Sequence, residues 1–414
     1  MELSNKKTNV SLFLATLVIV VVSDDTLWFG TNGNTLFINI KYCVLLACLA
    51  LIFFSNMRII DLSRVSSSAV LCGLMCALML ITGVFNSDLR TGYFYKCCLL
   101  ILSCLFAKNF LFEEFARIFE KIMFFFATTS AFCTLLATVN ISLVSGFPIF
   151  YNSAKSSFYN LIVCMINVSD KTVRNYGIFR EPGVFQMFLM LGLLFYTYYA
   201  KEFKIYRFAV YVIAIGLTYS TTGYIALIVY LIVYFVKDTR GFSVKKKKLI
   251  TIVLIAVALI FILVKTDLLS SDGVVFNKVG DMKRHTTVAR LASVFANIEM
   301  WLRSPIFGNG LTYVGDNFPE ISLMRYGYES PDNTNTLLCE LATYGLLYTV
   351  IFVMGYVRFI KKITEKKVEQ VLIGIVLVVL SCGEKLTFSP IIYILLFYGF
   401  SRKNDFYERK LGVD

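Results

Sequence analysis

The chain has 414 residues, of which 57% are hydrophobic and only 16% charged. A soluble domain carries about 25% charged residues, so too little polar surface exists here to cover soluble domains, and a disordered chain is excluded for the same reason. The net charge of +13 would suggest a nucleic-acid partner in a soluble protein, yet the excess sits in short segments between apolar runs, where it sets orientation in a membrane.

The composition predicts an all-α polytopic integral membrane protein, and about 20 apolar residues are needed per helical span. In chain order, Lys6 and Lys7 precede an apolar run with no small-residue cleavage site, so 10–28 reads as a first span and not as a removed signal. Spans follow at 36–55, 66–85 and 92–107. Lys41 and Lys96 fall inside runs, near ends where they could snorkel. Between 108 and 121, Phe110, Leu111, Phe115, Ile118 and Phe119 alternate with charged residues, the pattern of an interfacial amphipathic helix on the cytoplasmic side. After a span at 122–141 comes a long loop, 142–182, and then a span at 183–200.

The apolar stretch 204–237 is broken by Ser220-Thr221-Thr222-Gly223. Reading it as two short spans keeps the Lys245–Lys248 run inside, as the positive-inside rule requires. A span at 249–265, a second long loop at 266–332, and spans at 333–357, 369–383 and 386–400 complete about twelve. The last two are short enough to be tilted or re-entrant. On this count the short outer loops hold only Arg90 and Lys385 as basic residues, so both termini are expected in the cytoplasm and both long loops outside. The whole chain reads as one transmembrane domain with short helices in its outer loops.

Ten of the eleven cysteines lie in or beside apolar runs and Cys164 in a loop, with no CxxC pair, so they read as small hydrophobes. A single histidine, His285, leaves no histidine metal cage. Neither a nucleotide-binding loop nor an HExxH or GxSxG motif occurs, so ATP-driven transport and common hydrolase chemistry have no support.

Three stretches could carry chemistry. The first loop ends in Arg174-Asn175-Tyr176-Gly177-Ile178-Phe179-Arg180-Glu181-Pro182-Gly183, which crowds two arginines and a glutamate against a span. This is either a positioned loop-to-helix junction or an anion site, since arginine matches phosphate oxygens bidentately. The second loop holds Lys283-Arg284-His285 and then apolar residues at helical spacing from 288 to 302, which put Arg290 and Trp301 on an outer helix ending at Ser304-Pro305. Trp301 could be an interface aromatic and His285 a solvated loop residue. The loop closes on Asp332-Asn333-Thr334-Asn335-Thr336, where Asp332 and Asn333 could cap the next helix. Glu340 follows inside an apolar span, where an acid is costly unless it faces a wet cavity or a partner.

Together these stretches resemble the bacterial O-antigen polymerases and O-antigen ligases. The residues that carry the resemblance are Arg174, Gly177, Phe179, Glu181 and Pro182, the Ser220–Gly223 break, Arg290, Trp301, Pro305–Gly310, and the run from Asp332 to Leu347. The ligases typically carry a histidine before the asparagine of the last motif. This chain has Asp332 there, which favours the polymerase.

The resemblance implies a glycosyltransferase that polymerises undecaprenyl-diphosphate-linked oligosaccharide repeat units into O-antigen or capsular polysaccharide on the outer face of the bacterial inner membrane. Such lipid-linked glycans would be both donor and acceptor. Membrane lipid and a chain-length-regulating membrane protein are the other expected partners, and no nucleic acid, cofactor or metal is implied. Arg174, Arg180 and Arg290 would neutralise the departing lipid diphosphate. Asp332, Glu181 and Glu340 are the carboxylates available as base. Trp301, Asn333, Arg284 and His285 would contact glycan. The alternatives are a ligase that moves the glycan to a lipid A core and, from another class, a lipid-linked-oligosaccharide flippase. A flippase would need ionisable residues inside several spans, whereas most spans here are clean.

Overall fold

A computed structural model describes residues 2–23, 26–28, 43, 47, 67–151, 156–168, 173–236, 285–326 and 333–401. The described chain is mostly helical. It begins with α1 (Glu2–Val22), α2 (Ser67–Phe85), α3 (Thr91–Asn109) and α4 (Phe112–Val139). An antiparallel sheet of β1 (Ile149–Tyr151), β2 (Ser157–Asn160) and β3 (Met165–Asn167) follows, ordered β1-β2-β3, with Phe150 opposite Phe158 and Tyr159 opposite Ile166. Then come α5 (Pro182–Tyr199), α6 (Ile205–Gly216), α7 (Thr221–Val236), α8 (His285–Arg303), α9 (Gly310–Tyr326), α10 (Thr336–Ile363), α11 (Lys367–Ser381) and α12 (Pro390–Phe400).

Four of the described helices, α2, α3, α4 and α10, are long and apolar enough to cross a membrane by length and composition. This is the make-up of a membrane protein. The expectation of about twelve spans goes further than these helices do: α6 and α12 have 12 and 11 residues. At about 1.5 Å per residue they reach roughly 18 and 16 Å, short of the ~30 Å hydrocarbon core. The expected spans at 36–55 and 249–265 lie outside the described residues. The stretch 204–237 does divide, into α6 and α7, through a turn in which Tyr219 takes a positive φ of 51°.

The helices α5 and α12 form the centre. From Pro182 to Tyr196 every residue of α5 is buried, as is every residue of α12, which suits helices that are apolar all round. Around them α4 packs on α5, α3 and α10 on α12, and α7 on α11. Phenylalanine and tyrosine dominate the core: Phe112 and Phe115 of α4 meet Phe195 of α5 and Tyr398 of α12 with ring centroids 4.9–6.2 Å apart. Here the structure departs from the expected interfacial helix. Lys108 and Asn109 end α3, and 112–121 are the first turns of an unbroken 28-residue α4. Phe115 and Phe119 are fully buried against α5, so the apolar face of this stretch covers protein.

Within α10 the helix breaks at Gly345, which takes φ 76° and ψ −174°. The loop between α8 and α9 docks its backbone into the break. Leu346 N donates to Pro305 O at 2.9 Å, and the carbonyl of Ala342 accepts from both the backbone N (3.0 Å) and Nδ2 (3.1 Å) of Asn309. A Cβ on Gly345 would fall 2.2 Å from Ile306 O, and one on Gly308 (φ 73°) 2.3 Å from Thr343 O, so two glycines meet backbone to backbone. Irregular backbone at membrane depth is tolerated where protein satisfies its polar groups, which this loop does.

Candidate functional site

The motifs singled out in the sequence converge at one end of the bundle, where α5, α7 and α10 begin and α6 and α11 end. The segment 173–181 docks on the end of α6. Arg174 Nε donates to Thr218 O (3.1 Å), and Asn175 donates to Leu217 O (2.8 Å) and Ala214 O (3.2 Å). Pro182 then opens α5, with its fixed φ and missing N–H suited to a first turn.

On α8, Arg290, Ser293 and Asn297 share a face, being three and seven residues apart. That face ties to the start of α10. Asn297 and Asn333 exchange two amide hydrogen bonds of 3.0 and 2.9 Å, and Thr334 N donates to Ser293 Oγ (3.1 Å). The N-cap of α10 is Asn335, whose side chain accepts from Leu338 N at 2.9 Å. The capping expected of Asn333 therefore falls two residues later. Arg290 is half-buried, and its guanidinium feels Glu384 as a favourable charge and Arg174 as an unfavourable one. Burial is the largest influence and pushes its pKa down.

Glu384, in the turn between α11 and α12, is the residue the sequence reading missed. Thr336 Oγ1 donates to its backbone carbonyl at 2.5 Å and accepts from Leu386 N at 2.9 Å, which pins that turn to the start of α10. The Glu384 side chain is buried against the first turn of α5, where a Cβ on Gly183 would lie 1.9 Å from its Oε1. The available signal was Gly383-Glu384-Lys385, a charged interruption of two unusually short apolar runs. Nearby, Gln186 lies against Gly223 and Thr222 against Gly383. Both amide atoms of Gln186 and the hydroxyl of Thr222 are buried without a hydrogen-bond partner among the described residues.

The other expected site residues divide. Glu181 is exposed at the N-cap of α5 and makes no capping bond. Arg180 is half-buried beside it. Trp301 is half-buried, and its indole donates to Pro305 O at 2.9 Å, holding the turn after α8. Asp332 and Arg284 lie outside the described residues, and His285 is described only as the first residue of α8.

Glu340 is committed elsewhere. Its carboxylate accepts from Lys96 Nζ at 2.6 and 2.8 Å and from the Tyr393 hydroxyl at 3.0 Å, with Lys96 and Glu340 both fully buried. The ammonium also lies 4.4 Å from the centre of the Tyr344 ring. This corrects the expectation that Lys96 snorkels: its charge is neutralised inside the bundle and does not reach for an interface.

An apolar groove of about 210 Å³ runs beside the cluster. It is lined by Met187 and Leu191 of α5, Thr336 to Ile360 of α10, Gly374 to Ser381 of α11, and Ile392 and Leu395 of α12. Thr336, the residue that holds the Glu384 turn, is one of its few polar lining residues.

No curated protein matches the chain. A family model described as O-Antigen ligase matches residues 207–353, a stretch that contains Arg290, the α8–α9 loop and the break in α10. That match supports an O-antigen ligase or polymerase type of function in polysaccharide biosynthesis, and with it a glycosyl-transfer enzyme.

Proposed function

We propose that the protein polymerises glycan repeat units carried on undecaprenyl diphosphate, on the outer face of the bacterial inner membrane. The observation that carries this reading is that Arg290, on the face of α8 tied to the start of α10, lies within charge reach of Arg174, docked on Thr218, and of Glu384, which rests on the first turn of α5. Two guanidinium groups beside the positive end of a buried helix suit a departing diphosphate, whose charge must be neutralised as the glycosidic bond breaks. The apolar groove leading from Thr336 along α10 suits a lipid tail attached to that diphosphate. No nucleotide sugar enters the scheme. The transferred glycan leaves its lipid diphosphate and joins a hydroxyl of the next lipid-linked unit, and Asn333, Trp301, Arg284 and His285 remain proposed glycan contacts.

A second reading, transfer of glycan to a lipid A core, is favoured by the description of the matching family. Asp332, where the ligases typically carry histidine, favours the polymerase. Purified protein in lipid nanodiscs, given one synthetic undecaprenyl-diphosphate-linked repeat unit, should make a ladder of lipid-linked polymers. A product formed only when lipid A core is added would establish the ligase instead. No transfer to either acceptor would refute both.

A further inference from the structure

A second cavity, of about 430 Å³, opens between the turn that joins α2 to α3 and the first two turns of α9. Its size is that of a small-molecule site, which holds about 300–1,000 Å³, but its walls are unlike those of the apolar groove. The turn contributes Asn86, Asp88 and Arg90. Asp88 is buried and fixes one wall to the other. It accepts from Thr312 N at 2.8 Å, from the Thr312 hydroxyl, and from the Tyr93 hydroxyl at 3.3 Å. This carboxylate therefore already serves the positive end of α9, and Arg90 lies against it at 3.5 Å. From α9 come Tyr313, Asp316 and Asn317, which share a face at helical spacing. The Arg303 guanidinium donates to the Tyr313 hydroxyl and so steadies that ring.

The hydrogen-bonding capacity left over is one-sided. Asn86 Nδ2 is spent on the carbonyls of Thr82 (2.8 Å) and Gly308 (3.2 Å), and Asn317 Nδ2 donates to Tyr313 O at 2.9 Å. What these two amides offer a ligand is chiefly their carbonyl oxygens, beside the exposed carboxylate of Asp316. A pocket rich in acceptors suits a ligand rich in donors. A diphosphate brings only further acceptors and negative charge, and a lipid tail finds little apolar wall. No three His, Cys, Asp or Glu side chains gather into a cation cage among the described residues. A sugar fits: its hydroxyls donate, and its C–H face can rest on the apolar surface of Tyr313 and Leu89.

We infer that this cavity is a saccharide-binding site, separate from the diphosphate cluster, which holds a sugar of the glycan by its hydroxyls on Asp316, Asn317 and Asn86. The glycan as source of that sugar rests on the glycosyl-transfer reading above. The cavity is anchored to the break in α10, because Asn309 lines it and donates to Ala342 O at 3.1 Å. From Thr336 to the break at Gly345 the helix rises roughly 14 Å. A glycan engaged at the diphosphate cluster thus meets this cavity with a later sugar. Two contacts on one ligand favour a longer glycan over a single repeat unit.

The test uses full-length protein in lipid nanodiscs, titrated calorimetrically with lipid-free oligosaccharides of one and two repeat units cut from the surface glycan of the source strain. Wild type should bind them, the two-repeat form more tightly. Asp316→Ala with Asn317→Ala should weaken binding about 10-fold or more, with the melting temperature unchanged, because both positions lie on the accessible face of α9. Asp316→Asn, which keeps a carbonyl acceptor, should retain more affinity than Asp316→Ala. Equal affinity of wild type and the double variant overturns the inference, as does wild-type protein that binds neither oligosaccharide. Calcium chloride that binds wild type where the sugars do not would assign the cavity to a cation and overturn it too. Oligosaccharide binding that the double variant loses, in a protein that transfers nothing from the synthetic lipid-linked unit, would refute the reading of the reaction and uphold the sugar site.

Discussion

The half-buried guanidinium of Arg290 and the fully buried ammonium of Lys96 are answered by different carboxylates, and the two should respond differently to substitution. Arg290 works through geometry. Lysine keeps the charge but offers no planar fork for two phosphate oxygens. Arg290→Ala should therefore lower polymer yield about 100-fold, and Arg290→Lys should restore it only in part. Gel profiles of surface glycan from a complemented deletion strain, at matched protein levels, check this; full activity of the alanine variant would rule out the anion site. Lys96 works through neutralisation. Lys96→Met strands Glu340 in the bundle and should cost roughly 3–5 kcal/mol, whereas the paired change Lys96→Met with Glu340→Leu should recover most of it. Thermal unfolding in detergent reads the difference. If the double variant also retains activity, Glu340 is not the base. Little of this pairing was legible beforehand, because partners 244 residues apart leave no local pattern.

At the scale of elements, the broken α10 and the loop docked into it form one unit. Residues Pro305–Gly310 and the run Asp332–Leu347 stood out in the sequence as separate motifs, yet only the fold reveals that each completes the other's hydrogen bonding. Alanine at either Gly308 or Gly345 would add a side chain to a positive-φ residue and drive it into a carbonyl. Each single change should cost about 2 kcal/mol or more. The double change should cost less than the sum, because both break the same contact; additive losses in melting temperature would argue against a shared unit. Helix positions were well foreseen where apolar runs are bounded by loops, as with α2, α3 and α5. The stretch 108–121 was read as lying on the membrane because its amphipathic period is equally satisfied by covering other helices. The three-stranded sheet escaped notice because strands of three and four residues leave too short a record.

For the whole molecule, the arrangement of termini and loops rests on the distribution of Lys and Arg. Single cysteines at Ser157 and Asp316 should react with a membrane-impermeant maleimide added outside intact spheroplasts. Cysteines at Lys246 and Glu365 should react only after the membrane is opened. Labelling at Lys246 from outside would reverse the orientation of α7 and overturn the division of 204–237 into two crossings. Arg174, Arg290 and Asn333 were candidates in the sequence and lie at one end of the bundle, whereas Glu384 beside them was not legible. Glu384 lies in a break of a few residues that hydropathy alone treats as a loop.

The ion pair between α3 and α10 also bears on how the chain is made. Lys96 leaves the ribosome 244 residues before Glu340. At about 5–20 residues per second, that separation lasts roughly 12–50 s. Throughout that interval the Lys96 amine lacks the carboxylate that neutralises its charge in the finished bundle. Either the insertion machinery shelters this helix until α10 is delivered, or Lys96 waits neutral. Nascent chains arrested before residue 340 should therefore remain crosslinkable to the translocon or its insertase through α3, and Lys96→Met should release them early. Identical crosslinking of both chains would show that α3 needs no such shelter.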